Sequence, residues 1–235
     1  MLIAAESVAR FASLLADKSR VSICLALLDG RAWTAGELAR HTGISPSTAS
    51  EHLSKLVEAG LLSEERQGRH RYVRLAAPEA AQAVEDLAAL AGSPAAPRSS
   101  LRAVRAHSEL AAARTCYDHL AGRLATEIFD AMTAKGLLSE RDGLALTAEG
   151  RAWFTELGWV PAPGASGRRP LVRSCLDWTE RRPHLAGAAG AALHDHLLAR
   201  SWITKGRRHR AVTVTPDGHR ALTGLLGIDT EGLGG

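Results

Sequence analysis

Two short segments of this 235-residue chain carry the same set of reactive side chains. Cys116-Tyr117-Asp118-His119-Leu120-Ala121-Gly122 offers a thiol, a carboxylate and an imidazole. Cys175-Leu176-Asp177 and His184-Leu185-Ala186-Gly187 offer them again, once six residues are allowed before the histidine. At i and i+3, Cys116 and His119 would share one face of a helix. A pseudo-twofold pairing of the two copies would bring Cys175 and His184 beside them as a Cys2His2 cluster. Such donors suit Zn, Cu(I) or a thiophilic metalloid, with Asp118 and Asp177 behind the imidazoles. Cys-x-x-His alone is a weak signal. The alternative is that Cys and His open a helix whose Ala-Gly step permits close packing, with Asp as its cap. Two further chemistries use the same residues. Cys116 and Cys175 could close a disulfide as a redox switch. An activated Cys116 thiol with His119 and Asp118 would make a thiol enzyme, but side chains at i and i+3 run side by side and converge poorly on one substrate atom. No enzyme is expected.

A second group suits contact with a polyanion. Ser45-Pro46 starts a helix in which Ala49, Leu53, Leu56 and Val57 share one face. Ser47, Thr48, Ser50, Glu51, His52 and Lys55 are then expected outward, with Ser45 at the cap. Short hydroxyls allow close approach to base edges and phosphates, where an ordinary solvated face carries mostly Glu and Lys. Shortly afterwards come Arg66, Arg69, His70, Arg71 and Arg74. Residues 1–91 hold ten Lys and Arg against eleven Asp and Glu, so positive charge is focused on this stretch rather than spread over it. Phosphate contact is the functional reading, and a solvated basic turn the bland one.

The elements that must position these residues are legible nearby. Apolar residues at helical spacing run over Ile3–Leu15 and Val21–Leu28, and Cys24 falls on the second apolar face as a small core residue. Thr34-Ala35-Gly36-Glu37 reads as a capping box. Its short helix stops at Gly43, and the helix from Pro46 follows. Leu61-Leu62, the Gln67-Gly68 turn and Tyr72, Val73 and Leu75 then make a β-hairpin wing. The order is helix, tight turn, helix, wing.

The stretch GELARHTGISPSTASEHLSKLVEAGLLSEERQGRHRYVRL, with DKSRVSICLALLDG before it, resembles the winged helix-turn-helix of ArsR-type bacterial repressors over about residues 20–75. The resemblance implies a homodimer presenting two recognition helices to a palindromic operator in double-stranded DNA, with residues 79–91 as the terminal dimerising helix. Metal-sensing members often carry a cysteine pair where this chain reads Glu37-Leu38-Ala39-Arg40, and others carry Asp and His ligands in the terminal helix. Both patterns are absent, so the family's familiar metal positions do not carry over.

Gly92-Ser93-Pro94-Ala95-Ala96-Pro97 is a breaker-rich linker. It divides a winged helix-turn-helix domain (1–91) from a domain at 98–235 that repeats internally, at about 116–159 and 175–228. LTAEGRAWFTEL (146–157) matches VTPDGHRALTGL (214–225), and Leu137-Leu138 matches Trp202-Ile203. Each copy reads as helix, hairpin, helix. The fold class expected is mainly α with short β-hairpins (α+β). Trp153, Trp159, Trp178 and Trp202 either form the core of the second domain or line a pocket for a planar organic effector. Lys205, Arg207, Arg208, His209 and Arg210 resemble the first wing and read as a solvated loop or a contact to flanking phosphates.

Composition bounds these readings. A net charge of +4 fits a polyanionic partner without establishing one. Three scattered cysteines do not make a disulfide framework. No signal sequence or apolar run of membrane-spanning length is present, so a cytoplasmic protein is expected. The sequence thus predicts a homodimeric, DNA-binding repressor whose second domain senses an effector, either a thiophilic metal ion or a small organic molecule.

Overall fold

The computed structural model describes residues 4–68, 70–91, 101–141, 143–160, 169–206 and 208–230. Arg69, Arg207 and the 92–97 linker lie outside the described residues. The chain divides into two compact units, Met1–Leu87 and Ala88–Gly235.

The first unit contains α1 (Ala5–Leu14), α2 (Lys18–Ala26), β1 (Trp33–Thr34), α3 (Ala35–Thr42), α4 (Pro46–Glu58), β2 (Leu62–Gln67) and β3 (His70–Leu75), followed by α5 (Pro78–Ala91), which crosses the boundary. Each short helix has its own start signal. The Thr34 hydroxyl accepts from the Glu37 amide at 3.3 Å while the Glu37 carboxylate accepts from the Thr34 amide at 2.8 Å, closing the capping box. Gly43 ends α3 at a left-handed φ of 70°. Ser45 then caps α4, accepting from the Thr48 amide at 3.1 Å, with Pro46 in the first turn. The strands form one antiparallel sheet in the order β1-β3-β2, and β2 pairs with β3 from Leu62↔Leu75 to Gln67↔His70. Ile23, Cys24, Leu27, Leu28, Leu38, Leu53, Leu56 and Val73 are fully buried between these elements. Burial pushes the Cys24 thiol up to about 12.

The second unit begins with α6 (Leu101–Ala112). It continues with β4 (Arg114–Cys116), β5 (His119–Ala121), α7 (Arg123–Ala134), β6 (Leu138–Ser139), β7 (Ala145–Leu146) and α8 (Ala148–Glu156). The same order of elements then occurs again as β8 (Arg173–Leu176), β9 (Pro183–Ala186), α9 (Gly187–Ala199), β10 (Ile203–Lys205), β11 (Val212–Val214) and α10 (Pro216–Leu226). One core serves both halves: Leu124, Ile128, Phe129 and Met132 of α7 join Phe154, Leu193, Leu197, Leu222 and Leu226. Thr147 and Thr215 cap α8 and α10 alike, accepting from the Gly150 and Gly218 amides at 2.9 and 3.0 Å. No helix among the described residues is long and apolar enough to cross a membrane.

The expectation that Cys116 and His119 share a helix face is overturned. They are directly opposed across the β4–β5 hairpin, as are Cys175 and His184 across β8–β9. A hairpin thus precedes both α7 and α9. Long-range backbone bonds explain the extended conformation: the Thr115 amide donates to the Arg210 carbonyl at 2.9 Å, and the Val212 amide to the Ala113 carbonyl at 3.0 Å. Local helix preference cannot compete with pairing on both edges of β4. The Ala-Gly step does permit close packing, but as the exit from a strand. Gly122 has φ 83°, and a Cβ there would lie 2.7 Å from the Ala111 carbonyl oxygen.

Candidate nucleic-acid interface and Cys/His centre

In the first unit, Ser45, Ser47, Ser50, Glu51 and Lys55 are exposed along α4. The Ser45 hydroxyl lies 2.9 Å from that of Ser47 and 2.8 Å from that of half-buried Thr48, a small hydroxyl cluster at the head of the helix. His52 is not outward as expected. Its side chain is 13% exposed and turns toward α2, with Nε2 3.8 Å from the Asp17 carboxylate that caps α2. The helical period places position 52 between the buried and open faces, and Asp17 draws the ring inward.

On the wing, Arg66 and His70 are exposed, and Gln67↔His70 closes the ladder at its tip. Arg71 instead lies back along the sheet. Its Nε donates to Glu64 at 2.6 Å and its Nη1 to Ser54 of α4 at 3.3 Å, tying wing to helix. Sequence reading missed Ser54, because nothing local to it announces a partner 17 residues away.

In the second unit, one donor atom each from Cys116, His119, Cys175 and His184 lies within 4.8 Å of the others. All four residues are buried. Each hairpin supplies one Cys and one His, so the cluster forms only where the two halves meet. The two Sγ atoms are 3.9 Å apart, and the two imidazoles stack with centroids 5.2 Å apart. Asp118 sits 3.2 Å from His119 Nδ1 and is itself held by Arg169 at 2.6 Å. The Cys116 thiol and then the two nearby imidazoles hold the Cys175 thiol well below its ordinary value, against the upward push of burial. For His119, burial favours the neutral ring, but the bond to Asp118 and the Cys175 thiol prevail and raise its value.

Asp177 stands behind the centre and is committed elsewhere. It accepts from Arg114 Nη2 at 2.8 Å, the Gly122 amide at 2.6 Å and the Thr179 amide at 2.9 Å, and lies 3.9 Å from His184 Nδ1. Burial would raise its carboxyl, but the Arg114 guanidinium, with Thr179 and the Gly122 and Glu180 amides, holds it well below the usual carboxylate range. Arg114, absent from the residues the sequence singled out, also stacks over Trp178 at 4.4 Å.

The tryptophans are dispersed. Trp153 and Trp159 flank Phe154 with centroids 5.1 and 5.0 Å away, and Trp202 packs edge-on to His196 at 5.3 Å. These three pack against the shared core, while Trp178 lies with Arg114. The second basic hairpin is likewise engaged: Arg208 pairs with Glu109 at 2.8 Å, and Arg210 Nε donates to the Thr115 carbonyl at 2.8 Å.

A helix-turn-helix domain model matches residues 15–65. The chain is 43% identical over 223 residues to YdfF of Bacillus subtilis (strain 168), an uncharacterized HTH-type transcriptional regulator, covering 94% of this chain and 98% of that protein. It is 40% identical over 82 residues to the HTH-type transcriptional regulator CmtR of Mycobacterium tuberculosis, covering 35% of this chain and 69% of CmtR. Among solved structures, the homodimeric winged helix-turn-helix DNA-binding domain of Mb0332 from Mycobacterium bovis, a possible ArsR-family regulator, is 31% identical with a TM-score of 0.34, covering 37% of this chain and 79% of that one. With a capped helix pair, a wing and a relative alike along nearly its whole length, the chain belongs to the HTH-type transcriptional regulators, as a DNA-binding protein with a winged helix-turn-helix.

Proposed function

We propose that the protein is a homodimeric repressor that reads a palindromic operator in double-stranded DNA through α4 and the wing, and that residues 98–235 sense an effector. The observation that carries this reading is the row of small polar side chains, Ser45, Ser47 and Ser50, exposed on a helix flanked by an arginine-bearing hairpin. Dimerisation is supported by apolar side chains left open on two helices: Val8 and Phe11 of α1 are 55% and 37% exposed, and Leu87 and Leu90 of α5 are 47% and 82% exposed. None of the α1 residues is fully buried.

The matched caps and hairpins of the two halves support an internal duplication of the second unit, with the Cys/His centre at their junction as its input. Two thiols 3.9 Å apart also favour a second reading, a disulfide switch at the same place. A thiol enzyme is not supported, since Cys116 is 1% exposed and offers a substrate no approach. Such a regulator acts in the cytoplasm, where its operator lies.

Selection from random duplexes followed by footprinting on the full-length protein tests the reading. A protected palindrome with half-sites about 34–36 Å apart is expected, occupied by a dimer in light scattering. Equal affinity for every duplex, or none for any, would overturn it.

A further inference from the structure

Three imidazole nitrogens at the junction of the two halves, His119 Nε2 and both ring nitrogens of His184, are buried without a hydrogen-bond partner. Buried polar atoms are almost always satisfied, so this concentration at one point needs a reason. Both histidines share this point with two cysteines, one donor atom of each of the four residues lying within 4.8 Å of the others, and the buried residues clustered with those cysteines are the small Ala121 and Ala186.

We propose that Cys116, His119, Cys175 and His184 are the ligands of one tetrahedral centre for a divalent d10 cation of the zinc type. A tetrahedron whose edge is the 3.9 Å between the two sulfurs has its corners about 2.4 Å from its centre, against about 2.3 Å for a Zn–S bond. No pair of donors is more than 4.8 Å apart, so the remaining edges close with side-chain shifts of at most about 1 Å. Asp118 occupies His119 Nδ1 and leaves Nε2 for the ion, the usual arrangement of carboxylate, imidazole and metal. Charge decides the valence. Two thiolates and two neutral imidazoles neutralise a divalent ion, whereas a monovalent ion would leave a net negative charge buried among side chains 1–4% exposed. On binding, whatever protons the four ligands carry beyond two thiolates and two neutral imidazoles pass to solvent and four metal–ligand bonds form, with no change of oxidation state. The ion would cross-link cysteines 59 residues apart and so report its presence to the whole unit. That regulatory consequence rests on the DNA-binding reading above, whereas metal binding stands apart from it.

The test uses full-length protein without a histidine tag, reduced and stripped of metal, then titrated with Zn(II) against a competing chelator. One equivalent per chain is expected. Co(II) in its place should give thiolate charge-transfer bands and the intense ligand-field bands of a tetrahedral site. Cys116→Ser and Cys175→Ser should each lose those bands, and Cys24→Ser should keep them. Asp118→Asn should bind Zn(II) about 10–100-fold more weakly with the Co(II) spectrum retained. Circular dichroism identifies any variant that fails to fold, and the spectrum of the unaltered protein decides the ligand set even then. Substoichiometric uptake, a six-coordinate Co(II) spectrum, or a Cys116–Cys175 disulfide in protein whose reduced form takes up no metal each overturns the assignment. A full equivalent of tetrahedral metal in a protein that protects no operator overturns the DNA-binding reading alone. A footprint without metal uptake does the reverse.

Discussion

Arg114 and Asp177 form an ion pair at 2.8 Å with both side chains buried, 1% and 0% exposed, joining positions 63 apart across the two halves of the C-terminal unit. The pair is well satisfied on the acidic side, where Asp177 also accepts from Gly122, Thr179 and Glu180. Removing one partner strands the other charge in the interior. Asp177→Leu should therefore destabilise the protein by about 3–5 kcal/mol, and Arg114→Met combined with Asp177→Leu by clearly less than the sum of the two single changes. Denaturant unfolding of the four-member cycle measures this, and additive losses would count against a coupled pair.

The cationic and the hydroxyl side chains of α4 and the wing should fail differently. Lys55→Ala and Arg66→Ala, both at exposed positions, should weaken binding to all duplexes alike and lower the slope of log affinity against log salt by about 1 each. Ser50→Ala should instead relax preference at one base position, by about 1–3 kcal/mol or less. His52→Ala should leave the salt slope unchanged, because its ring faces Asp17. Gel-shift titrations at several salt concentrations separate these patterns.

The capping box of α3 carries its own pH dependence. Glu37 is held below the usual carboxylate range, first by the Thr34 amide and then by the Thr34 hydroxyl. A folded value below the unfolded one means that the box stabilises α3 above about pH 4.3 and loses that contribution as pH falls further. Thr34→Ala should cost about 1 kcal/mol near neutrality, and the difference from the unaltered protein should shrink in acid. Hydrogen exchange of α3 amides across that range tests both statements.

The cysteines should separate by reactivity. Cys24 is fully buried with its thiol pushed up to about 12, so at pH 8 it should resist iodoacetamide until the first unit unfolds. Mass spectrometry of alkylated peptides, with and without denaturant, gives the answer directly. Labelling of Cys24 in the folded protein at the rate of an exposed thiol would contradict its place in the core.

The helix-turn-helix and wing of the first unit are legible in the sequence alone. Thr34 and Glu37, Gly43, and Ser45 with Pro46 are start and stop signals that act over three or four positions, and the wing follows from alternation around Gln67-Gly68. Their partners lie a turn away, so local pattern is enough. The likeness of Cys116 and His119 to Cys175 and His184 was equally legible, because a repeat is a property of the string. Their conformation was not. Residues 114–116 are extended because the edge of β4 pairs with residues 210–212, and no local signal reports a neighbour nearly a hundred positions away. The same holds for the inward turn of His52 toward Asp17, the tie from Arg71 to Ser54 and the buried Arg114–Asp177 pair. Tertiary structure alone decided that two hairpins, each presenting one thiol and one imidazole, meet face to face: their convergence is set by the core beneath α7 and α9, built from residues far apart in the chain.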